Sequence, residues 1–273
     1  WKHLTVLKIC TVTGSRADFG LLSGLLELLK NDPDIVCQLI VTGTHLSSKF
    51  GSTLSEIQAA GFDISEQVEM DLTEDSDTAI VKSMAKAMIG IADALDQLKP
   101  DFLVLLGDRF EISAAAQAAL VLRIPIAHIH GGEITEGAID DAIRHSITKL
   151  SHLHFASTET YRQRIIQMGE MPENVHTTGA LGVDNIQSLP LLSQESLETE
   201  LNFDLSGGPI FMVTYHPVTL DANPAKGIDS LLESLMEFPD ARILITGANP
   251  AKGIAIGAGN QNACVGKFHH AFQ

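Results

Sequence analysis

Short runs of aliphatic and β-branched residues alternate with longer helical segments along this chain, and that alternation limits its possible folds more than any other feature. Residues 6–13, Ile35–Thr42 and Phe102–Leu106 have the length and composition of buried strands. Residues 78–98 repeat apolar side chains with the period of an amphipathic helix. Strands and helices that alternate in this way predict a doubly wound α/β fold with a parallel sheet.

The same alternation continues between and beyond these segments. We predict further helices at residues 21–30, 53–60, 111–122 and 139–150, and further strands at residues 63–70, 124–129 and 152–156. Four glycines directly follow predicted strands: Gly14, Gly43, Gly107 and Gly131. Because right-handed crossovers bring the carboxyl ends of parallel strands to one edge of the sheet, we expect the ligand to bind among these glycine loops.

A second unit begins near Gly179. Strands at 210–215 and 242–246 with a helix at 228–236 between them predict the first half of another Rossmann-like domain. The 273 residues fit two domains of roughly 150 residues each. We therefore predict two Rossmann-like domains, residues 1–178 and 179–273. We expect the second to be incomplete, with a truncated or altered C-terminus.

Composition excludes several kinds of protein. With 34 acidic against 18 basic residues, the formal charge is −16, which argues against a nucleic-acid partner. No apolar run approaches the ~20 residues of a membrane-spanning helix, so no membrane partner is predicted. The three cysteines leave one unpaired in any disulfide scheme and lack the spacing of metal ligands, which indicates a reducing, cytoplasmic location.

Arg16 and Asp18 lie in the first glycine loop, Gly14–Ser15–Arg16–Ala17–Asp18–Phe19–Gly20. The N–H groups at a helix start together with the Arg16 guanidinium favour an anion. The loop matches neither the dinucleotide-binding fingerprint nor a P-loop. An equally weighted alternative is that Asp18 caps the helix while Arg16 is a solvated loop residue.

Asp108 and Arg109 follow the Phe102–Leu106 strand, at the edge where the ligand is expected. A carboxylate in such a setting is suited to acid or base catalysis. The alternative is a capping box formed by Asp108 and Glu111, and both interpretations can hold together.

Two histidines and a glutamate end the next strand, in the motif His128–Ile129–His130–Gly131–Gly132–Glu133. His128 and His130 share one face of the strand, but two histidines spaced by one residue are weak evidence for zinc. We interpret His128 as a buried, hydrogen-bonded side chain. His130 lies nearer the loop and is the better candidate for acid–base catalysis.

Asp140, Asp141 and Arg144 open the helix that follows. An ion pair on the helix surface, four or three residues apart, is the simpler interpretation of Arg144. Nevertheless Glu133, Asp140 and Arg144 flank one loop at the ligand edge, and convergent polar groups are typical of a binding site. In the second unit, His216 ends the strand at 210–215, from where it is expected to face that edge across a cleft.

Taken together, the motifs GSRADFGLL, GTHLS, GDRFE, HIHGGE, IDDAIRHSITKLSHLHF and TYHPVT resemble those of the hydrolysing UDP-N-acetylglucosamine 2-epimerases. The resemblance extends over roughly residues 6–250. It implies two Rossmann-like domains arranged as in B-type glycosyltransferases, and a UDP-sugar substrate. It also implies loss of UDP to give a 2-acetamidoglucal, which is then hydrated to N-acetylmannosamine. No redox cofactor and no catalytic metal are implied.

The resemblance also implies roles for individual residues. Arg16 corresponds to a phosphate-side arginine, Asp108 to an essential aspartate and Asp140 to a carboxylate among the acid–base groups. His216 corresponds to a histidine that contacts the diphosphate or assists its departure, and His130 stands where some relatives have glutamate. The predicted catalytic residues are therefore Asp108, His130, Asp140 and His216, with Asp108, His130 and Asp140 as joint candidates for the base. The predicted substrate-binding residues are Arg16, Asp18, Arg109, Glu133 and Arg144.

One departure from the family keeps alternatives open. The Ser/Gly-rich loop that holds the nucleotide in the family, after a segment like 245–250, has no counterpart here. A B-type glycosyltransferase and a nucleotide-sugar-binding fragment without activity are therefore alternatives. The resemblance further implies a homo-oligomer, and the cytoplasmic location is as expected above.

Overall fold

A computed structural model describes residues 6–47, 53–74, 76–188, 190–215, 227–246 and 263–264. The chain divides into two compact units, residues 1–189 and 190–273. The sequence had placed this division after residue 178. Helix α7 (Leu181–Ser188) lies with the first unit, where Asn185 Nδ2 donates a hydrogen bond of 2.7 Å to the Gly20 carbonyl.

The first unit alternates strands and helices throughout its described residues. Its strands are β1 (Leu7–Thr13), β2 (Ile35–Thr42), β3 (Glu66–Val68), β4 (Phe102–Leu106), β5 (Ile126–Ile129), β6 (Leu153–Ala156) and β7 (Val175–Thr177). Its other helices are α1 (Arg16–Asn31), α2 (Leu54–Ala59), α3 (Asp77–Leu98), α4 (Phe110–Leu122), α5 (Ile139–Leu150) and α6 (Glu159–Gln167). Short 3₁₀ turns occupy Gly43–Leu46 and Pro172–Asn174.

These strands form a parallel sheet in the order β3-β2-β1-β4-β5-β6-β7 over the described residues. The predicted doubly wound parallel α/β fold is therefore confirmed. Strand order reverses between β1 and β4, and in open parallel sheets ligands bind beyond the carboxyl ends of the strands at such a point. The loops after β1, β4 and β5 all end at this edge.

The packing of strand β4 explains why its apolar sequence predicted a buried strand so clearly. Leu103 and Leu105 point into the core between the sheet and α3, α4 and α5. Val104 and Leu106 point into the core between the opposite face and α1 and α2. Because both faces of β4 are covered, polar and apolar residues do not alternate along it. The sequence of Phe102–Leu106 is therefore apolar throughout.

Several boundaries differ from the predicted ones. Helix α1 begins at Arg16 rather than residue 21, β5 begins at Ile126 rather than 124, and β3 is shorter than residues 63–70. The elements α6, β7 and α7 were not predicted. They are short and only partly buried, so their apolar periodicity is weak.

The second unit contains helix α8 (Gln194–Leu201), β8 (Ile210–Thr214), α9 (Ile228–Met236), β9 (Arg242–Thr246) and β10 (Ala263–Cys264). Its described strands are parallel, in the order β10-β9-β8. The predicted strand–helix–strand succession is confirmed, while His216 lies outside the described residues. Among the helices that the structure describes, none combines the length and apolarity needed to cross a membrane.

Truncating a β4 side chain tests how far the core holds the sheet together. Leu105 is fully buried, so Leu105→Ala is expected to lower the free energy of unfolding by about 2–5 kcal/mol. Leu28 on α1 is 73 % exposed, and Leu28→Ala is expected to change the free energy of unfolding by less than about 0.5 kcal/mol. Urea unfolding of the two variants measures the difference, and equal midpoints would contradict this description of the core.

Candidate active site

The loops after β1, β2 and β4 pack so closely that glycine is required where they meet. A Cβ on Gly14 would lie 2.2 Å from Glu111 Oε1 of α4. A Cβ on Gly43 would lie 2.4 Å from the Gly14 carbonyl oxygen, and Gly43 has a φ of +63° that favours glycine. The sheet edge therefore brings the Gly14 loop directly against the start of α4.

Ser15 and Asp18 close the start of α1 together. Ser15 Oγ accepts a hydrogen bond from the Asp18 N–H, and Asp18 Oδ2 accepts one from the Gly14 N–H, both at 3.3 Å. The alternative that Asp18 caps the helix is wrong, because Ser15 is the capping residue. Burial raises the pKa of Asp18 to about 6, and the nearby Arg109 guanidinium opposes that rise only in part.

Arg16 extends from the first turn of α1 toward α2. Its Nε lies 3.1 Å from Glu56 Oε2, and about a third of the side chain is exposed. Arg16 Nη2 is buried without a hydrogen-bond partner among the described residues. The Arg16 side chain therefore lies at the ligand edge, and its exposed third leaves it accessible to an anion.

Arg109 and Glu111 form a pair at the start of α4. Arg109 Nε is 2.5 Å from Oε1 of the fully buried Glu111 and 3.8 Å from Asp18 Oδ2. Burial alone would lower the pKa of Arg109, but Glu111 and Asp18 outweigh it and raise it. The predicted capping box of Asp108 and Glu111 is wrong, because Arg109 occupies the N-cap position and both carboxylates bind arginines.

Asp108 binds Arg144 across 36 residues of sequence. Arg144 Nη2 donates to Asp108 Oδ2 and, at 3.0 Å, to Thr135 Oγ1. The interpretation of Arg144 as part of a surface ion pair on its own helix is wrong, since it is buried and bound to another loop. Burial raises the pKa of Asp108, Arg144 opposes this rise, and the neighbouring Asp140 adds to it.

His128 is a structural residue, as predicted. It is fully buried, its Nε2 donates to the Gly107 carbonyl at 2.8 Å, and Thr148 Oγ1 lies 3.2 Å from its Nδ1. Burial lowers the pKa of His128 to about 3, so the ring stays neutral. These bonds fix the carbonyl that immediately precedes Asp108.

His130 lies at the end of β5 in a left-handed conformation, with a φ of 64° that is uncommon for a residue other than glycine. Its Nδ1 is 3.5 Å from Glu133 Oε1, which accepts a 2.6 Å hydrogen bond from Ser157 Oγ. The Leu181 N–H donates to His130 Nε2 at 3.4 Å. Burial lowers the pKa of His130, so a neutral ring is favoured.

The structure thus brings most predicted residues of the first unit to one edge. Asp140 is close enough to raise the pKa of both Asp108 and Arg109. The contact between Thr135 and Arg144 was not predicted, because a lone threonine in a loop gives no sequence signal. Glu111 was interpreted only as a helix cap, although the apolar run around it indicates that its side chain is buried. Groups of three or more potential metal ligands were not found among the described residues.

Comparison with known proteins identifies relatives that are named as sugar 2-epimerases. The family profile described as UDP-N-acetylglucosamine 2-epimerase matches residues 27–270. A GDP/UDP-N,N'-diacetylbacillosamine 2-epimerase (hydrolyzing) from Campylobacter jejuni is 41 % identical over 97 % of this chain and 69 % of its own length. The Legionella pneumophila UDP-N,N'-diacetylbacillosamine 2-epimerase (hydrolyzing) is 38 % identical over 81 % of this chain, which spans 58 % of that protein.

Solved structures share the fold. The crystal structure of the Neisseria meningitidis UDP-GlcNAc 2-epimerase bound to UDP-GlcNAc superposes with a TM-score of 0.74 at 20 % identity, covering 90 % of this chain and 67 % of that one. The Methanocaldococcus jannaschii UDP-GlcNAc 2-epimerase in complex with UDP-GlcNAc and UDP gives a TM-score of 0.70 at 18 % identity, covering 90 % and 67 %. The family profile spans far more than half of this sequence, and the Campylobacter relative exceeds a third in identity. The chain therefore belongs to the hydrolysing UDP-N-acetylglucosamine 2-epimerase family.

Proposed function

We propose that this chain converts UDP-N-acetylglucosamine, or a close UDP-linked 2-acetamido sugar, into UDP and the free 2-epimer. For UDP-N-acetylglucosamine the product is N-acetylmannosamine, a precursor of sialic acid-type sugars. The observation that carries the proposal is the meeting of Asp108 and Asp140 with Arg109 and Arg144 at the carboxyl edge of the sheet. Acidic groups next to cations suit a reaction that removes a proton while a diphosphate leaves.

In the first step a base removes the proton at C2 of the sugar while the bond between C1 and the UDP oxygen breaks. The electron pair of the C2–H bond forms the C1=C2 double bond of a 2-acetamidoglucal, and UDP carries away the negative charge. Water then adds its hydroxyl group to C1, and a proton is delivered to C2 on the other face. Asp108, His130 and Asp140 are the joint candidates for these proton transfers.

The ionisation states of Asp108 and His130 are compatible with a role as the base. Arg144 favours the carboxylate form of Asp108, which a base requires. His130 has a lowered pKa and is neutral near pH 7, so it too can accept a proton. Activity is therefore expected to fall on acidification, as Asp108 becomes protonated.

Arg16, Asp18, Arg109 and Glu133 are proposed to bind the substrate. Arg16 lies at the start of α1, where the N–H groups of the first turn and the helix dipole favour a diphosphate. Arg109, whose Nε lies 3.8 Å from Asp18 of the same helix turn, remains about a quarter exposed and can add positive charge to the same site. His216 lies outside the described residues, and its role at the diphosphate stays a prediction from the family resemblance.

The identity of the sugar remains part of the proposal. The Campylobacter and Legionella relatives are named for N,N'-diacetylbacillosamine, and the Escherichia coli relative, 39 % identical, is named polysialic acid biosynthesis protein P7. The Campylobacter and Legionella names support a nucleotide-linked acetamido sugar as the substrate class, and the Escherichia coli name supports a role in making sialic acid-type sugars. We further propose a cytoplasmic homo-oligomer. The free thiols of Cys10 and Cys37 support a reducing compartment, and exposed apolar side chains on α3 and α4 support self-association.

Asp108→Asn tests the proposed reaction most simply. Because the amide cannot accept the C2 proton, release of both UDP and free sugar from UDP-N-acetylglucosamine is expected to fall by about 10²–10⁴-fold. Asp96→Asn, on the exposed side of α3, provides the control and is expected to leave the rate unchanged. NMR of the reaction mixture measures UDP and the released sugar directly, without a coupled assay. A folded Asp108→Asn variant with near-normal turnover would contradict the assignment.

Glu56→Gln tests whether Arg16 binds the diphosphate. Glu56 competes for the Arg16 guanidinium, and an ion pair with about a third of each side chain exposed contributes about 0–1 kcal/mol. Releasing Arg16 is therefore expected to tighten UDP binding by up to about fivefold at low salt, as measured by calorimetry. Glu27→Gln, which removes the same charge from the exposed face of α1, is the control. Weaker binding by Glu56→Gln than by this control would exclude Arg16 as the phosphate ligand.

A further inference from the structure

Arg144 is buried more deeply than the other arginines of the site. Only 8 % of its side chain is exposed, compared with 26 % for Arg109 and 36 % for Arg16. Its Nε and Nη1 atoms are buried without partners among the described residues. The third nitrogen, Nη2, already donates to Asp108 and Thr135. The guanidinium therefore presents little surface to a substrate.

The contacts around Arg144 form a connected frame. Thr135, which shares Nη2 with Asp108, donates its backbone N–H to Asp141 Oδ1 at 2.8 Å. Asp141 and Arg144 both belong to α5. The first turns of this helix consequently hold the loop after β5 and the carboxylate after β4 in one arrangement.

A second chain of hydrogen bonds reaches the same place through the backbone. The Thr148 hydroxyl donates to the Arg144 carbonyl at 3.0 Å and lies 3.2 Å from His128 Nδ1. His128 Nε2 donates in turn to the carbonyl of Gly107. The residue before Asp108 is thus fixed by its backbone, while Arg144 fixes Asp108 by its side chain.

We infer that Arg144 is a positioning residue, which holds Asp108 as an ionised base with one carboxylate oxygen bound and the other available for the C2 proton. The inference rests on the proposed function and replaces substrate binding as the role of Arg144. A fixed base is worth a large factor in rate, because misplacement by about 1 Å can cost 10²-fold.

The charges that face Asp108 explain why such a partner is needed. Asp140 of α5 repels a second negative charge, whereas Arg144 of α5 and Arg109 of the same loop attract it. His130, at the end of β5, also interacts with Asp108. Burial raises the pKa of Asp108, Arg144 gives the largest opposing contribution, and Asp140 raises the pKa further. Without Arg144 the pKa of Asp108 would rise, so the base would be protonated over a wider range of pH.

Arg144→Gln and Arg144→Lys separate positioning from substrate binding. For Arg144→Gln we expect kcat to fall at least 10²-fold and the acid limb of its pH profile to move up by one unit or more. We expect KM to stay within threefold of the wild-type value. Arg144→Lys keeps the positive charge but loses the planar guanidinium that binds Asp108 and Thr135 together. We therefore expect kcat to fall about tenfold, while the acid limb stays near its original pH. Arg123→Gln, an exposed site at the end of α4, is the control.

A tenfold rise of KM with an unmoved acid limb would overturn the inference, because it would show that Arg144 binds substrate. Unchanged kcat in Arg144→Lys would overturn it as well. Since Arg144→Gln leaves the partly buried Asp108 without its partner, the lysine variant keeps the inference falsifiable where the glutamine variant fails to fold.

A readout that needs no turnover distinguishes this inference from the proposed function. The ¹³Cγ resonance of Asp108, identified by its loss in Asp108→Asn, can be titrated in the wild type and in the Arg144 variants. The midpoint is expected to rise by one unit or more in Arg144→Gln, and an unchanged midpoint would overturn the inference. Absence of turnover by the wild-type chain would instead contradict the proposed function and leave this titration decisive.

Discussion

The buried contact between Asp108 and Arg144 is the interaction on which the candidate site depends. It joins the loop after β4 to α5, and through Thr135 it also fixes the loop after β5. Removing one partner of a buried ion pair typically costs about 3–5 kcal/mol, because the other charge is left uncompensated. The intact pair adds little net stability, because desolvation of the two charges offsets their attraction. Its effect at this site is to fix the position and the charge of the Asp108 carboxylate.

Further charged residues lie around this contact, at the starts of α1, α4 and α5. Arg109, held by Glu111 and Asp18, supplies positive charge near the start of α1, where Arg16 and the helix dipole act in the same direction. Asp140 lies in the first turn of α5, and Asp108, in the loop after β4, is bound to Arg144 of the same helix. Guanidinium and carboxylate groups that meet at one sheet edge suit the departure of a diphosphate and the transfer of a carbon-bound proton.

The sequence predicted whatever depends on local pattern. The parallel sheet followed from apolar runs such as Phe102–Leu106, and the burial of His128 followed from its place inside a strand. The resemblance to a family directed attention to Asp108 in advance. The partners of Arg144 and Arg16 were not predictable, because Asp108 lies in another loop and Glu56 in another helix, 36 and 40 residues away. Periodicity reports which face of an element is apolar, but it carries no information about which charges meet after folding.

Reaction with UDP-N-acetylglucosamine in heavy water, followed by NMR of the released sugar, tests most directly whether a proton is exchanged at C2 at this site. The account predicts N-acetylmannosamine with deuterium at C2 in every molecule formed, because the original hydrogen is removed and its replacement comes from the solvent. Released sugar that keeps its original hydrogen at C2 would contradict it.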